Sequence, residues 1–143
     1  MKGYFEYEYL KFKKSHLSNL IALAKIDGEY KEVEEQLIYK IGYKYKLKDW
    51  QIEEMIQSDE RPEIQIPKAH IQKMEQLYDL IRMIYADQIV QENEIAFCKK
   101  ITSKFGYKVQ IVDWLVNIFA ENNRPSEEEW DQIVKLAAQE FVV

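Results

Sequence analysis

The sequence is short of the residues that interrupt helices or cross-link chains. Its 143 residues include four glycines, three prolines and a single cysteine. So few glycines and prolines favour long helices over a turn-rich β fold. The lone Cys98 has no partner for an intrachain disulfide, which fits a reducing compartment. The chain also lacks any run of about 18 apolar residues, the length needed to cross a bilayer.

The start of the chain and its charge balance narrow the class of protein further. The first residues are aromatic and charged and do not form the apolar segment of a secretory signal, so we expect a soluble, cytoplasmic protein. A formal net charge of −5 argues against a nucleic-acid binder. With 47% apolar and 31% charged residues, the composition is that of one soluble domain, to which we assign residues 1–143.

Apolar residues recur at helical spacing along most of the chain. The spacing predicts an all-α compact bundle of about seven helices. The stripes of the second, third and fourth predicted helices include Val33, Trp50 and Ile71, respectively. Residues 1–14 fit both a strand-like alternation and a helical stripe, and we expect an N-terminal helix or an irregular lead-in there.

Two local signals divide the chain. Residues 58–67, with Pro62 and Pro67, form a linker between two helical regions. Ser126 followed by Glu129 has the spacing of a capping box, which predicts a C-terminal helix over about 126–141.

The chain also repeats one pattern at an offset of 60 residues. Nine of the 29 aligned positions of residues 17–45 and 77–105 are identical. The apolar identities flank a shared acidic element, Asp-x-x-x-x-Glu-x-Glu. Self-similarity at such a period indicates a duplicated supersecondary unit. We therefore expect repeat one over about 15–57 and repeat two over about 68–120.

In each copy the acidic element spans the junction between two helices. Asp27 and Asp87 come where one helix ends, and Glu34 and Glu94 fall in the first turns of the next. If the copies pack about a twofold axis, the four carboxylates converge and repel one another unless they are neutralised. A hard cation such as Ca²⁺ or Mg²⁺ would relieve this repulsion. The competing interpretation is that the acids only cap free amides and complement the helix dipole, which is routine for acids at such positions.

The junction pattern resembles that of the tellurite-resistance TerB-like family, which includes the N-terminal region of the membrane-anchored, DnaJ-like co-chaperone DjlA. The resemblance is carried by ALAKIDGEY at residues 22–30 through Glu34, and by IYADQIV at residues 84–90 through Glu94. It implies a helical bundle with two pseudo-twofold-related junctions, and roles in bacterial stress response near membranes. It also implies a divalent-cation site formed by the junction acids Asp27, Glu34, Asp87 and Glu94. The second copy has Gln88 in place of the usual glycine, which leaves open whether the junctions share a backbone shape.

Other candidate sites are weak. Cys98 lies on a core stripe and is expected to be a buried thiol, and His70 is expected to be solvated at a helix start. An EF-hand is excluded because the sixth and twelfth positions from Asp27 are Glu32 and Ile38 instead of Gly and Glu. Phosphate-binding loops, nucleophile elbows and zinc-type Cys/His spacings are absent from the sequence, so we do not expect an enzyme.

These observations predict a non-enzymatic TerB-like binding or scaffold module with a protein partner and, as its candidate cofactor, a divalent cation. The alternative is a protein-interaction domain whose junction acids are structural helix caps only. The basic, aromatic residues 1–14 could contact an anionic membrane. The favoured interpretation is that their rings complete the core while their lysines stay in water.

Overall fold

The computed structural model describes residues 2–122 and 124–143, with side chains for residues 9–121 and 124–143. Within these ranges the chain forms seven helices, which confirms the all-α bundle. They are α1 (Lys2–Ala24), α2 (Glu32–Lys44), α3 (Asp49–Gln57), α4 (His70–Ile84), α5 (Glu92–Lys104), α6 (Gln110–Asn122) and α7 (Glu127–Glu140). None of the described helices is both long enough and apolar enough to cross a bilayer.

The N-terminal segment is helical and continues without a break into the first apolar stripe. α1 spans 23 residues, so the ambiguous segment and the stripe that follows it form one helix. Between Gly3 and Gly28 the sequence contains neither glycine nor proline, so nothing in it interrupts the helix. Side chains of residues 1–8 lie outside the described part of the chain. Tyr9 is 58% exposed and does not complete the core, whereas Phe12 is half-buried.

α4 is the central helix of the bundle. It packs against α1, α2, α5, α6 and α7. Its inner face is almost fully enclosed and contains Met74, Leu77, Leu80, Ile81, Met83 and Ile84. Burying one such side chain stabilises the fold by about 1.5–3 kcal/mol. Through these contacts α4 holds in place α1, α2 and α5, the helices that flank the two junctions described below. Cys98 of α5 joins the same core and is 0% exposed, as predicted.

Three residues assigned to apolar stripes are exposed instead. Val33 is 42%, Trp50 59% and Ile71 62% exposed. Each is the second residue of its helix, where the chain has fewer neighbours to pack against than in mid-helix. The apolar periodicity therefore predicted these helices correctly, but it was wrong in predicting that the apolar residues of their first turns are buried.

The start of α4 is tied to the C-terminal part of the bundle through His70. The Nε2–H of His70 donates to the carbonyl oxygen of Val134 at 2.8 Å, and Tyr107 O–H donates to Nδ1 at 2.6 Å. A carbonyl oxygen only accepts, so Nε2 carries the hydrogen and Nδ1 is the acceptor. The prediction of a solvated imidazole at this position is wrong.

The last helix begins as its sequence predicts. Glu129 N–H donates to Ser126 Oγ at 3.2 Å, and Ser126 N–H donates to Glu129 Oε1 at 3.0 Å. This reciprocal pair is the predicted capping box. After α7 the chain returns to the α5–α6 loop through an isolated antiparallel bridge between Tyr107 and Val142.

Candidate functional site

The acidic elements lie in two loops of matching geometry. We call residues 25–34, between α1 and α2, the first junction, and residues 85–94, between α4 and α5, the second junction. Asp27 Oδ1 accepts a hydrogen bond from the backbone N–H of Glu29 at 3.0 Å. Asp87 Oδ1 accepts one from the N–H of Ile89, also at 3.0 Å. Each aspartate thus closes a local Asx-type turn.

The residue after each aspartate has the same left-handed backbone. Gly28 has a φ of 82° and Gln88 a φ of 63°. The N–H of Gly28 bonds to the carbonyl of Lys25, and the N–H of Gln88 bonds to that of Tyr85, both three residues back. The two junctions therefore share a backbone shape at this residue. The second junction keeps the turn although it has Gln88 in place of glycine, because the glutamine adopts a conformation that favours glycine.

Glu34 and Glu94 cap the helices that follow. Glu34 Oε1 accepts the backbone N–H of Lys31 at 3.0 Å, and Glu94 Oε1 accepts that of Gln91 at 3.1 Å. Both residues are only 3% exposed. They satisfy amides at the start of α2 and α5, as glutamates at the third helical position commonly do.

The two junctions are in direct contact and exchange hydrogen bonds. Lys31 Nζ of the first junction donates to Asp87 Oδ2 of the second at 2.8 Å. In return, Gln91 Nε2 of the second junction donates to Asp27 Oδ2 of the first at 3.2 Å. Sequence reasoning did not identify Lys31 or Gln91, although they align with each other at the same 60-residue offset as the acids.

The pKa values of the two glutamates reflect both their burial and the charges of the other junction carboxylates. Burial, together with the charges of Asp87, Asp27 and Glu34, raises the pKa of Glu94 to about 7. Burial also raises the pKa of Glu34, aided by the two aspartates and opposed by the Lys31 ammonium. For Asp87, partial burial alone would raise the pKa, but the hydrogen bonds from Lys31 and the Ile89 amide outweigh it and lower the pKa.

Negative charge is concentrated at these junctions. Residues 26–36 contain five acids and one lysine, and residues 86–96 contain three acids and no basic residue. Of the chain's 25 acidic and 20 basic side chains, 17 and 19, respectively, therefore lie elsewhere. The net negative charge of the protein therefore comes from these two segments.

The oxygen atoms of the two aspartates are already hydrogen-bonded to protein donors. A carboxylate oxygen has two lone pairs, so each aspartate retains acceptor capacity beyond these bonds. In the described part of the chain, no group of three or more His, Cys, Asp or Glu side chains has the arrangement of metal ligands. A cation that coordinates Oδ2 of Asp87 would share this oxygen with Lys31 Nζ or displace the lysine.

A second polar cluster lies inside the bundle and was not predicted from the sequence. His16 Nε2 of α1 is 2.8 Å from Asp79 Oδ2 of α4, and the residues are 1% and 0% exposed. Burial alone would raise the pKa of Asp79, but the His16 contact and the Lys44 ammonium outweigh it and lower the pKa. Tyr45 O–H also approaches Asp79 Oδ2, at 3.4 Å. The pair joins α1 to α4. Because both side chains are closed to solvent, they offer no place for a substrate.

Comparison with known proteins assigns no family. A scan of protein-family models finds no match to this chain, and neither curated proteins nor solved structures yield one. The resemblance to TerB-like proteins accordingly stays a prediction from the residues of the two junctions.

Proposed function

We propose that the chain is a non-enzymatic, TerB-like binding module whose binding element is the face formed by the two junctions. The observation that carries the proposal is their direct contact, in which Lys31 binds Asp87 and Gln91 binds Asp27, so that the four carboxylates come from two loops that touch. The ligand we propose is a divalent cation such as Ca²⁺ or Mg²⁺, because these ions prefer carboxylate oxygens. The reciprocal bonds also support a pseudo-twofold relation between the two units.

The negative charge of the four carboxylates suits a divalent cation, whereas the contact between Lys31 and Asp87 opposes its binding. Glu94 is buried beside three other carboxylates, and a bound cation would relieve their mutual repulsion. Lys31 already supplies one positive charge to Asp87, so it competes with the cation. We therefore expect weak binding in the wild type and stronger binding when Lys31 is replaced by Gln, the residue at the corresponding position of the second junction.

Calorimetric titration with Ca²⁺ and Mg²⁺ tests the proposal. The wild type should release or absorb heat on binding, and the Asp27→Asn/Asp87→Asn variant should not. Asparagine keeps an acceptor oxygen for each turn amide, so this variant retains the loop geometry. Asp59→Asn/Asp131→Asn is the matched control, because it makes the same charge change at two exposed positions outside the junctions. Absence of heat in the wild type, or equal heat in both double variants, would exclude the cation.

A second function is favoured by the hydrogen bonds themselves. Each of the four carboxylates accepts a backbone amide hydrogen of its own junction. On this alternative the acids are structural caps, and the module binds a protein partner without a metal. A partner recovered from native lysate should then be retained equally in Ca²⁺ and in chelator. Loss of the partner in chelator would favour the cation-dependent module.

The TerB-like resemblance extends the proposal to bacterial stress response and to a cytoplasmic location. Growth of a deletion strain on tellurite, with complementation by the wild type and by Asp27→Asn/Asp87→Asn, tests the first point. Equal growth of the deletion and parent strains would remove tellurite from the proposal. Cell fractionation tests the location.

A further inference from the structure

A second charged surface lies at the opposite end of α2. The 13 residues of α2 place it about 20 Å from the junctions. We call it the lysine–aromatic surface, and it consists of Tyr9, Lys13, Tyr43, Lys46, Lys48 and Trp50. Its three rings are 58% (Tyr9), 53% (Tyr43) and 59% (Trp50) exposed. Large aromatic side chains usually bury most of their area, so three exposed rings beside lysines indicate an interaction surface.

The α1 helix packs against α2 and α3 and contacts the start of the α2–α3 turn, where the ring centroids of His16 and Tyr45 are 5.5 Å apart. Lys13 Nζ lies 4.1 Å from the centroid of the Tyr9 ring. Partial burial and the Lys46 ammonium lower the pKa of Lys13, in agreement with this packing. Lys46 and Lys48 belong to the short turn between α2 and α3, in which Leu47 is buried, and Trp50 follows as the second residue of α3.

The segment at the centre of the surface is rich in lysine. Residues 40–48 contain four lysines and neither an acid nor an arginine. Asp49, which follows them, accepts a hydrogen bond from the Tyr43 hydroxyl. Lys44 is directed towards the buried Asp79, with Nζ 3.4 Å from Oδ1. The lysines that the lysine–aromatic surface offers to a partner are Lys13, Lys46 and Lys48.

We propose that the lysine–aromatic surface binds the anionic headgroups of a lipid bilayer. Tyrosine and tryptophan are enriched at membrane–water interfaces, and each lysine near an anionic leaflet contributes about 1 kcal/mol. Nucleic acid is the less favoured occupant because arginine, which both pairs with phosphate and stacks on bases, is absent from residues 40–48. The contact centres on the α2–α3 turn and includes only Tyr9 and Lys13 of the N-terminal segment. It is independent of cation binding at the junctions.

Sedimentation of the full chain with vesicles tests the proposal. The protein should bind vesicles of equal parts phosphatidylcholine and phosphatidylserine, release them at high salt, and not bind pure phosphatidylcholine. Lys46→Gln/Lys48→Gln should weaken binding roughly thirtyfold, from about 1 kcal/mol per lysine. Glutamine is accommodated at residue 46, where φ is 64°, because Gln88 adopts the same conformation in this chain.

The matched control is Lys100→Gln/Lys104→Gln, which removes the same charge from exposed positions of α5. It should bind vesicles like the wild type, and Trp50→Ala should bind more weakly although its charge is unchanged. Circular dichroism confirms that each variant is folded. Equal binding by the two double variants would overturn the proposal. Binding to a single-stranded oligonucleotide without binding to phosphatidylserine vesicles would overturn it in favour of nucleic acid.

Discussion

The first and second junctions share a backbone and differ in charge. Both contain an Asx-type turn, a left-handed residue after the aspartate and a buried capping glutamate. They differ at the residue that reaches across, which is Lys31 in one and Gln91 in the other. The acids therefore fix the shape of each loop. The residue just before the following helix, Lys31 or Gln91, sets the electrostatic environment of the carboxylates around it.

The consequence of that difference is visible in the two capping glutamates. Glu34 has the ammonium of Lys31 nearby, which opposes the rise in its pKa. Glu94 has no such cation, and burial with three carboxylates raises its pKa to about 7. In two loops with the same hydrogen bonds, burial thus raises the pKa of both glutamates, and a lysine opposes the rise at Glu34.

Removal of either aspartate tests the structural equivalence of the junctions and has the largest expected effect. Asp27→Ala and Asp87→Ala each delete the acceptor of two hydrogen bonds, one within the loop and one across the contact. At about 1 kcal/mol per bond, each should lower the free energy of unfolding by about 2 kcal/mol in urea denaturation. Asp59→Ala, in the exposed linker, should be neutral. A loss at one aspartate only would contradict the equivalence.

The pH dependence of stability separates the two glutamates. The folded-state pKa of Glu94 is about 7, above its ordinary value of 4.5, so the folded protein holds a proton that the unfolded chain has lost. Stability from this group therefore falls as pH rises between these values. Glu94→Gln should remove that fall and stabilise the protein by about 1–2 kcal/mol at about pH 8, because solvent screens part of the repulsion.

Glu34→Gln is the matched variant for this test. It should have a smaller effect in the same direction, because Lys31 already stabilises the Glu34 carboxylate. Urea denaturation at about pH 5 and about pH 8 measures both variants. An equal pH effect at the two glutamates would show that the cross-junction lysine does not differentiate them.

The left-handed residues offer a smaller and reciprocal test. Gln88→Gly should stabilise the protein by about 1 kcal/mol, because glycine adopts a positive φ without strain. Gly28→Ala should destabilise it by a similar amount, and strain is the only cost expected because the alanine methyl group would have no other atom within 4 Å. Thermal melts of both variants check the signs. Stabilisation by Gly28→Ala would mean that the turn relaxes to another backbone.

The smallest expected effect comes from making the second junction resemble the first. Gln91→Lys brings an ammonium group towards Asp27 and Glu94 and should lower the pKa of Glu94 by about one unit or less. The stability gain at neutral pH should be about 0.5 kcal/mol. NMR titration of the Glu94 carboxyl measures the shift, and Lys31→Gln should shift Glu34 in the opposite direction.

The sequence was sufficient for the helices and for the local role of the junction acids, and insufficient for what holds the junctions together. Helical spacing and the Ser126 capping box are local signals, so they could be read directly. The Lys31–Asp87 and His16–Asp79 contacts join residues 56 and 63 positions apart, and their pairing depends on how the helices pack. Exposure of Trp50 likewise depends on where α3 begins relative to its neighbours, which periodicity does not contain.

The buried thiol of Cys98 makes the protein its own reporter of transient opening. Burial and the nearby charge of Glu94 both raise its pKa, so in the closed molecule the sulfur is neither accessible nor ionised. Alkylating reagents attack the thiolate, and they therefore modify only molecules in which α5 has moved away from the core. Because this is the sole cysteine, the rate of alkylation reports how readily α5 opens, without an added probe. The same alkylation measurement can be made on every junction variant proposed above.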